Sequence, residues 1–183
     1  ASMTAPIRIM GISGSYSLDS ANGNMIDLVF TECKKMGAEV FVWDNKANPL
    51  PFVGEEGCWD HENVKLYKSM ADSADAFVLS SPEYHGTMSG VMKNSLDWLS
   101  FDQTTGKVFG LISTLGGQSN TTTLNHMRTV IRWIHGWVIP EQLVISNVKN
   151  AFSEDGKIID PNLSERLDKF STSLFNNTQK LRR

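Results

Sequence analysis

The chain has 183 residues, 40% of them hydrophobic and 20% charged, with a formal net charge of −3 at pH 7. That leaves room for one domain with a substantial core and an ordinary globular composition. The mild acidity gives no reason to expect nucleic acid as a partner, and no apolar run approaches the roughly 20 residues of a membrane helix.

No signal-peptide pattern opens the chain, and Ala1-Ser2 before Met3 reads as an expression scar, so the domain is expected over 3–183. Cys33 and Cys58 are far apart and lack CxxC spacing. They are expected to be free thiols in a reducing cytoplasm.

Residues 6–12, PIRIMGI, predict the first strand. A stretch dense in Ser, Gly and Asn follows. A helix is predicted over 22–36, burying Met25, Ile26, Leu28, Val29, Cys33 and Met36, with Gly37 as its C-cap. EVFVW, 39–43, is the second strand. Residues 44–60 carry Asn48-Pro49-Leu50-Pro51 and show no period, so they are either a lid or a surface loop. The helix predicted over 61–73 places Val64, Tyr67, Met70 and Ala71 on one face.

Ala76-Phe77-Val78-Leu79 reads as a buried third strand that stops at Ser80-Ser81-Pro82. A polar loop is expected to Gly90, and Val91, Met92, Ser95, Leu96 and Leu99 then recur at helical spacing. VFGLIS, 108–113, is the fourth strand. It opens into TLGGQSN, followed by a helix to about 134 burying Leu124, Met127, Val130, Ile131 and Ile134. Within 137–145, Pro140 is expected to start the fifth strand late, near 142–145, or to put it at an edge. A turn at Glu154-Asp155-Gly156 precedes a last helix over 162–180 with Leu163, Leu167, Phe170 and Leu174 as its apolar stripe.

There is no internal repeat, low-complexity tract or interdomain linker. Strands alternating with helices predict an α/β fold, a parallel sheet covered on both faces. Its carboxyl edge would gather three loops, 13–22, 81–90 and 114–121, where ligands of such sheets bind.

The first loop, Ser13-Gly14-Ser15-Tyr16-Ser17-Leu18-Asp19-Ser20-Ala21-Asn22, suits either a phosphate at a helix N-terminus or helix capping alone. It lacks the Gly-Lys-Ser/Thr ending of a Walker loop and is not GxGxxG. The second carries Tyr84 and His85, against which a planar ligand would stack, or it is a well-made turn bearing a surface aromatic. In the third, Gly116 and Gly117 permit close backbone approach and Gln118 offers hydrogen bonds, or the segment is a tight turn.

Elsewhere, His126, Arg128, Arg132 and His135 lack metal-ligand spacing. Arg128 and Arg132 read as an exposed basic stripe or an interface, and Trp98, Trp133 and Trp137 as core or dimer interface. Lys93 and Asp97 read as a surface pair. No Ser-His-Asp set or carboxylate pair supports hydrolysis.

The segment PEYHGTMSGVMKNSLDW, 82–98, resembles the PEYNGSIPGVLKNALDW signature of the NAD(P)H-dependent FMN reductases, a flavodoxin-like family with azo-, quinone- and chromate-reducing members. Its GSLRxxSxN-like phosphate loop is similar to residues 14–22: Ser15, Ser20 and Asn22 match, Ser17 stands at the arginine position, and Asp19 adds a negative charge. Losing a bidentate guanidinium removes a strong phosphate contact, and Arg8 is no substitute. TLGGQSN is similar to the family's segment beside the flavin pyrimidine edge, and RTVIRWIHGWVIP to the corresponding family stretch. His85 replaces the usual Asn. The resemblance runs from about Ile7 to Ile145.

The resemblance implies a flavodoxin-like three-layer sandwich whose five-stranded parallel sheet has the order 2-1-3-4-5. It implies FMN as cofactor and NADPH or NADH as hydride donor. The acceptor would be a quinone, azo compound, metal oxyanion or flavin, reduced by ping-pong turnover. No side chain is implied as catalytic, since flavin N5 carries the hydride, and no metal is implied. Ser13, Ser15, Ser20, Ala21 and Asn22 would surround the phosphate. Pro82, Glu83, Tyr84, His85 and Gly86 on one side, and Thr114, Gly116, Gly117 and Gln118 on the other, would bracket the ring. A homodimer or homotetramer follows by the same resemblance. Two alternatives stay open: flavin as a dissociable substrate, and an electron carrier or redox-sensing flavin module without efficient NAD(P)H turnover.

Overall fold

The computed structural model describes residues 4–182, so Ala1-Ser2 lies outside the described residues. Six strands are present: β1 (Arg8–Ser13), β2 (Glu39–Trp43), β3 (Ala76–Tyr84), β4 (Thr87–Met88), β5 (Val108–Thr114) and β6 (Trp137–Ile145). Five run parallel in the order β2-β1-β3-β5-β6, and β4 pairs antiparallel with the end of β3. The helices are α1 (Ala21–Lys35), α2 (Glu62–Ser73), α3 (Gly90–Asp97), α4 (Phe101–Thr104), α5 (Thr122–Trp133) and α6 (Pro161–Leu181).

The central strands bury both faces, which is why they read as apolar runs. Met10, Ile12, Phe77, Leu79, Phe109 and Leu111 face a core with Tyr67, Met92, Met127 and Ile131 from α2, α3 and α5. Ile9, Ala76, Val78, Val108 and Ile112 face a second core with Met25, Ile26, Phe30, Phe170 and Leu174 from α1 and α6. The helices thus cover both sides in a flavodoxin-like sandwich.

Four expectations are corrected. The sheet carries a sixth strand, because what was expected as a loop from Ser81 is strand. Ser81 and Pro82 continue the parallel pairing with Ser113 and Thr114 of β5. β1 ends opposite Ser80, so Pro82 has a strand neighbour on one side only, an edge-like position that proline tolerates. β6 starts at Trp137 rather than near 142. It is the edge strand, and a register irregularity between Phe109 and Leu111, paired with Val138 and Gln142, accommodates Pro140.

The third helix ends at Asp97, and a separate short helix follows Ser100, whose N–H donates to Gln103 Oε1 at 3.0 Å. The C-cap of α1 is Met36. Gly37 comes one residue later at φ +99°, with Gly37 N–H donating to Lys34 O and Ala38 N–H to Cys33 O, a Schellman closure.

The connection 44–60 is pinned to its neighbours: Trp98 Nε1 donates to Pro51 O at 2.7 Å and Asn63 Nδ2 to Pro49 O at 2.8 Å. Lys93 and Asp97 pair at 2.5 Å, as expected.

Candidate functional site

Three adjacent strands carry hydroxyls at the level where β1 and β5 end. Ser13 lies opposite Ser80, Ser81 opposite Ser113, and Pro82 opposite Thr114. This row is the floor of the carboxyl edge. Gly14 then presses onto it: its N–H donates to Ser80 O at 2.7 Å, and a Cβ there would meet Ser81 Oγ at 2.5 Å and Ser81 Cα at 2.9 Å. Ser89, the N-cap of α3, donates to Gly14 O at 2.6 Å. The first loop, the hairpin and α3 therefore share one buried hydroxyl network.

The first loop is folded by its own serines. Ser13 Oγ accepts from Ser15 N–H at 3.1 Å and Ser17 Oγ from Asp19 N–H at 3.2 Å. Ser20 caps α1 by accepting from Gly23 N–H at 3.1 Å. Asn22, only 2% exposed, donates to Ser15 Oγ at 3.0 Å, and its Oδ1 accepts from Ser80 Oγ at 2.8 Å and Thr114 Oγ1 at 3.2 Å. Its amide oxygen is thus committed within the protein.

Helix capping accounts for Ser20 but not for the rest of the loop. Among the described residues, the backbone N–H groups of Tyr16, Ser17, Leu18, Ala21 and Asn22 have no hydrogen-bond acceptor. Free N–H groups at a helix N-terminus, with no acidic residue in the first turn, favour an anion. No basic side chain of the described residues bonds to this loop. Arg8 sits at the other end of β1, pairing with Glu39 at 2.6 Å and donating to Ser73 O.

Two walls rise beside the loop. One is the β3–β4 hairpin, where Glu83 pairs with Met88 and Tyr84 with Thr87. Its two-residue turn is His85 at φ +53° and Gly86 at φ +81°, both left-handed, the pattern of a type I′ turn. Tyr84 projects at the hairpin tip, 57% exposed. His126 Nδ1 lies 2.7 Å from Thr87 Oγ1 and ties α5 to the hairpin.

The other wall is the segment after β5. Its N–H groups at Gly116, Gly117 and Gln118 have no acceptor among the described residues. A Cβ added at Gly116 or Gly117 would meet nothing within 4 Å. These exposed backbone donors beside open space are free to bond the carbonyl and ring-nitrogen acceptors of a planar heteroaromatic ligand.

The structure thus brings all fourteen expected residues to one edge of the sheet. Sequence reasoning missed four that organise it: Ser80, Ser89, Ser113 and Ser119. Ser80 and Ser89 are buried in the hydroxyl network, Ser113 Oγ is buried without a partner, and Ser119 donates to Glu83 Oε1 at 2.7 Å. The available signal was the hydroxyl row shared by three strands. Arg128 is not part of an exposed stripe. It is partly buried and donates to Gln142 Oε1 and Ile139 O, whereas Arg132 lies over the Trp133 ring. Trp98 is core, whereas Trp133 and Trp137 are exposed.

Residues 7–150 match the family model described as NADPH-dependent FMN reductase. The chain is 36% identical over 122 residues to the FMN-dependent NADPH-azoreductase of Staphylococcus aureus (strain USA300). That match covers 65% of this chain and 65% of the relative, so the chain spans just under two thirds of the curated relative's length. Among solved structures, it is similar to FerB, a flavoenzyme NAD(P)H:(acceptor) oxidoreductase from Paracoccus denitrificans. The TM-score is 0.78 and the identity 20%, over 96% of this chain and 98% of that one. A flavodoxin from the domain Archaea aligns with TM-score 0.67 and 11% identity, over 94% of this chain and 99% of that one. At such identities the two structures establish the flavodoxin-like fold alone.

Proposed function

The chain belongs to the NADPH-dependent FMN reductase family, and from that premise we propose that it is an FMN-dependent oxidoreductase using NADPH or NADH. The observation that carries this reading is the pairing of two sets of unpartnered backbone N–H groups, at 16–18 with 21–22 and at 116–118, on one sheet edge.

The donor set fits FMN. The N–H groups of Tyr16, Ser17 and Leu18, the hydroxyls of Ser15 and Ser17, and the N-terminus of α1 would hold the phosphate. Ser13, Ser20, Ala21 and Asn22 give that cradle its shape. The backbone of Pro82, Glu83, Tyr84, His85 and Gly86 would form one wall of the ring cleft, and Thr114, Gly116, Gly117 and Gln118 the other. The chemistry supplied by bound FMN would be acceptance of hydride from NAD(P)H and delivery of electrons to a quinone, azo compound, metal oxyanion or flavin, one partner leaving before the next enters. The protein's task is to bind and orient. The exposed Tyr84 ring closes the hairpin side, and the open space over Gly116 and Gly117 admits a flat ligand.

A second reading is favoured by the phosphate cradle's lack of a bonded basic side chain. Ser17 and Asp19 leave the phosphate to neutral donors, so FMN would exchange readily and act as a substrate. The domain over 3–183 would work as a homodimer or homotetramer in the cytoplasm. Exposed Phe101, Trp133 and Trp137 support association, and the two buried free thiols support a reducing compartment.

Titration with FMN, followed by gel filtration and an NAD(P)H oxidation assay with a quinone, tests this. Retained flavin with turnover supports a prosthetic group. Turnover only with added FMN supports the exchangeable reading. Bound flavin without turnover would leave an electron carrier, and neither binding nor turnover would overturn the proposal.

A further inference from the structure

We propose that Glu83 is a positioning residue that holds the segment 115–121 against the β3–β4 hairpin and so sets the spacing of the two walls. The proposal rests on the FMN-reductase reading for the identity of the ligand between them.

Glu83 is 8% exposed, and carboxylates are rarely so buried without a partner. None of the described Lys, Arg or His side chains forms an ion pair with it. Its partner is the Ser119 hydroxyl, which donates to Oε1 at 2.7 Å across 36 residues of sequence. The backbone of Glu83 is itself fixed by pairing with Met88.

The other bonds of the segment point the opposite way. Leu115 N–H donates to Ile145 O, Ser119 N–H to Ser146 Oγ, Asn147 N–H to Gly117 O and Val148 N–H to Leu115 O. All four tie it to β6 or the residues just after it, on the sheet's border. Among the described residues, the Ser119–Glu83 bond is the only hydrogen bond joining this segment to the hairpin. Gly116 and Gly117 have no side chains to pack there. A charge-assisted bond is stronger than a neutral one, so this contact is the direct tie that sets the spacing of the walls, beside the indirect one through α5, whose His126 bonds to Thr87.

The test compares E83Q, E83A and S119A by amide hydrogen exchange of the flavin-free protein and by FMN titration. Ser119 lies on a surface loop, so S119A reports even where E83A compromises folding. E83A and S119A should each raise exchange at the hydrogen-bonded amides of Leu115, Ser119 and Asn147, and the FMN Kd, by about tenfold, the order carried by a charge-assisted hydrogen bond. The double variant should add little to either. E83Q keeps an acceptor oxygen and should stay within about threefold of the parent on both measures. Unchanged exchange and Kd in S119A would overturn the proposal, and so would an E83Q as impaired as E83A. Loosened exchange in a protein that never binds FMN would support the wall contact while overturning the proposed function.

Discussion

Asn22 Oδ1 accepts a hydrogen bond from Ser80 Oγ at 2.8 Å, fastening the first turn of α1 to the central strand of the sheet. The same oxygen accepts from Thr114 Oγ1, so one amide joins β3, β5 and α1 beneath the first loop. Asn22→Ala would strand two buried hydroxyls and free Ser15. We expect a loss of about 3 kcal/mol in urea unfolding, against about 1 kcal/mol for Ser80→Ala. Equal, small losses for both would show that Asn22 is not the junction.

The hairpin turn places His85 at φ +53° and Gly86 at φ +81°. A side chain at a left-handed position costs about 1–2 kcal/mol, so Gly86→Ala should destabilise by about that amount. Asn tolerates this region well, and His85→Asn should raise stability by a few tenths of a kcal/mol. Thermal melts of both variants check the signs, which should be opposite.

Gly14 and Gly117 should respond in contrasting ways. A Cβ at Gly14 runs into Ser81 backbone, so Gly14→Ala should lower stability by about 1–3 kcal/mol whether or not flavin is present. At Gly117 nothing lies within 4 Å, so Gly117→Val should leave the flavin-free melting temperature within about 2 °C of the parent. Its FMN affinity should fall by tenfold or more, because the added methyls occupy the proposed ring cleft. Unaltered FMN affinity in Gly117→Val would move the ring elsewhere.

Burial, with Glu32 adding to it, pushes the Cys33 thiol from its ordinary 9.0 up to about 12. In the unfolded chain this thiol ionises near 9 while the folded protein keeps its proton. The folded state therefore binds more protons in that window, and stability should fall as pH rises from about 9 to about 12, by at most about 1.4 kcal/mol per pH unit. Lys107 acts in the other sense. Burial lowers its pKa, so its contribution grows as pH rises toward its ordinary value. Burial also raises the pKa of the Tyr67 hydroxyl, which adds a fall of the same sign above its ordinary 10.0. Comparing the pH dependence of unfolding in the parent and in Cys33→Ala separates the two: the variant should lose the fall that begins near pH 9 and keep the part that begins near 10.

Much of the fold was legible because both faces of the central strands are buried. EVFVW and AFVLSS announce strands without any partner information, and Leu163, Leu167, Phe170 and Leu174 announce the face of α6. Pro82 does not end its strand, and Pro140 marks an edge strand, one of its two expected meanings, without delaying its start. Pro82 sits where β3 has lost its β1 neighbour, and Pro140 sits in an irregular stretch of an edge strand. Neither circumstance is local in sequence. The Gly-rich and Ser-rich loops stand out in the sequence as candidate site material. The contacts that shape them do not, because Ser80–Asn22 and Ser119–Glu83 join residues 58 and 36 apart and follow no period.

The border strand β6 also bears on how this protein behaves at high concentration. A bare sheet edge invites another chain to add a strand. Here Pro140 offers no N–H, Arg128 occupies the carbonyls of Ile139 and Pro140, and Arg166 occupies that of Gln142. The groups that would template intermolecular pairing are already taken along the middle of the strand. Growth of the sheet into a fibrillar or edge-to-edge assembly is therefore blocked on this side by two guanidinium groups and one pyrrolidine ring.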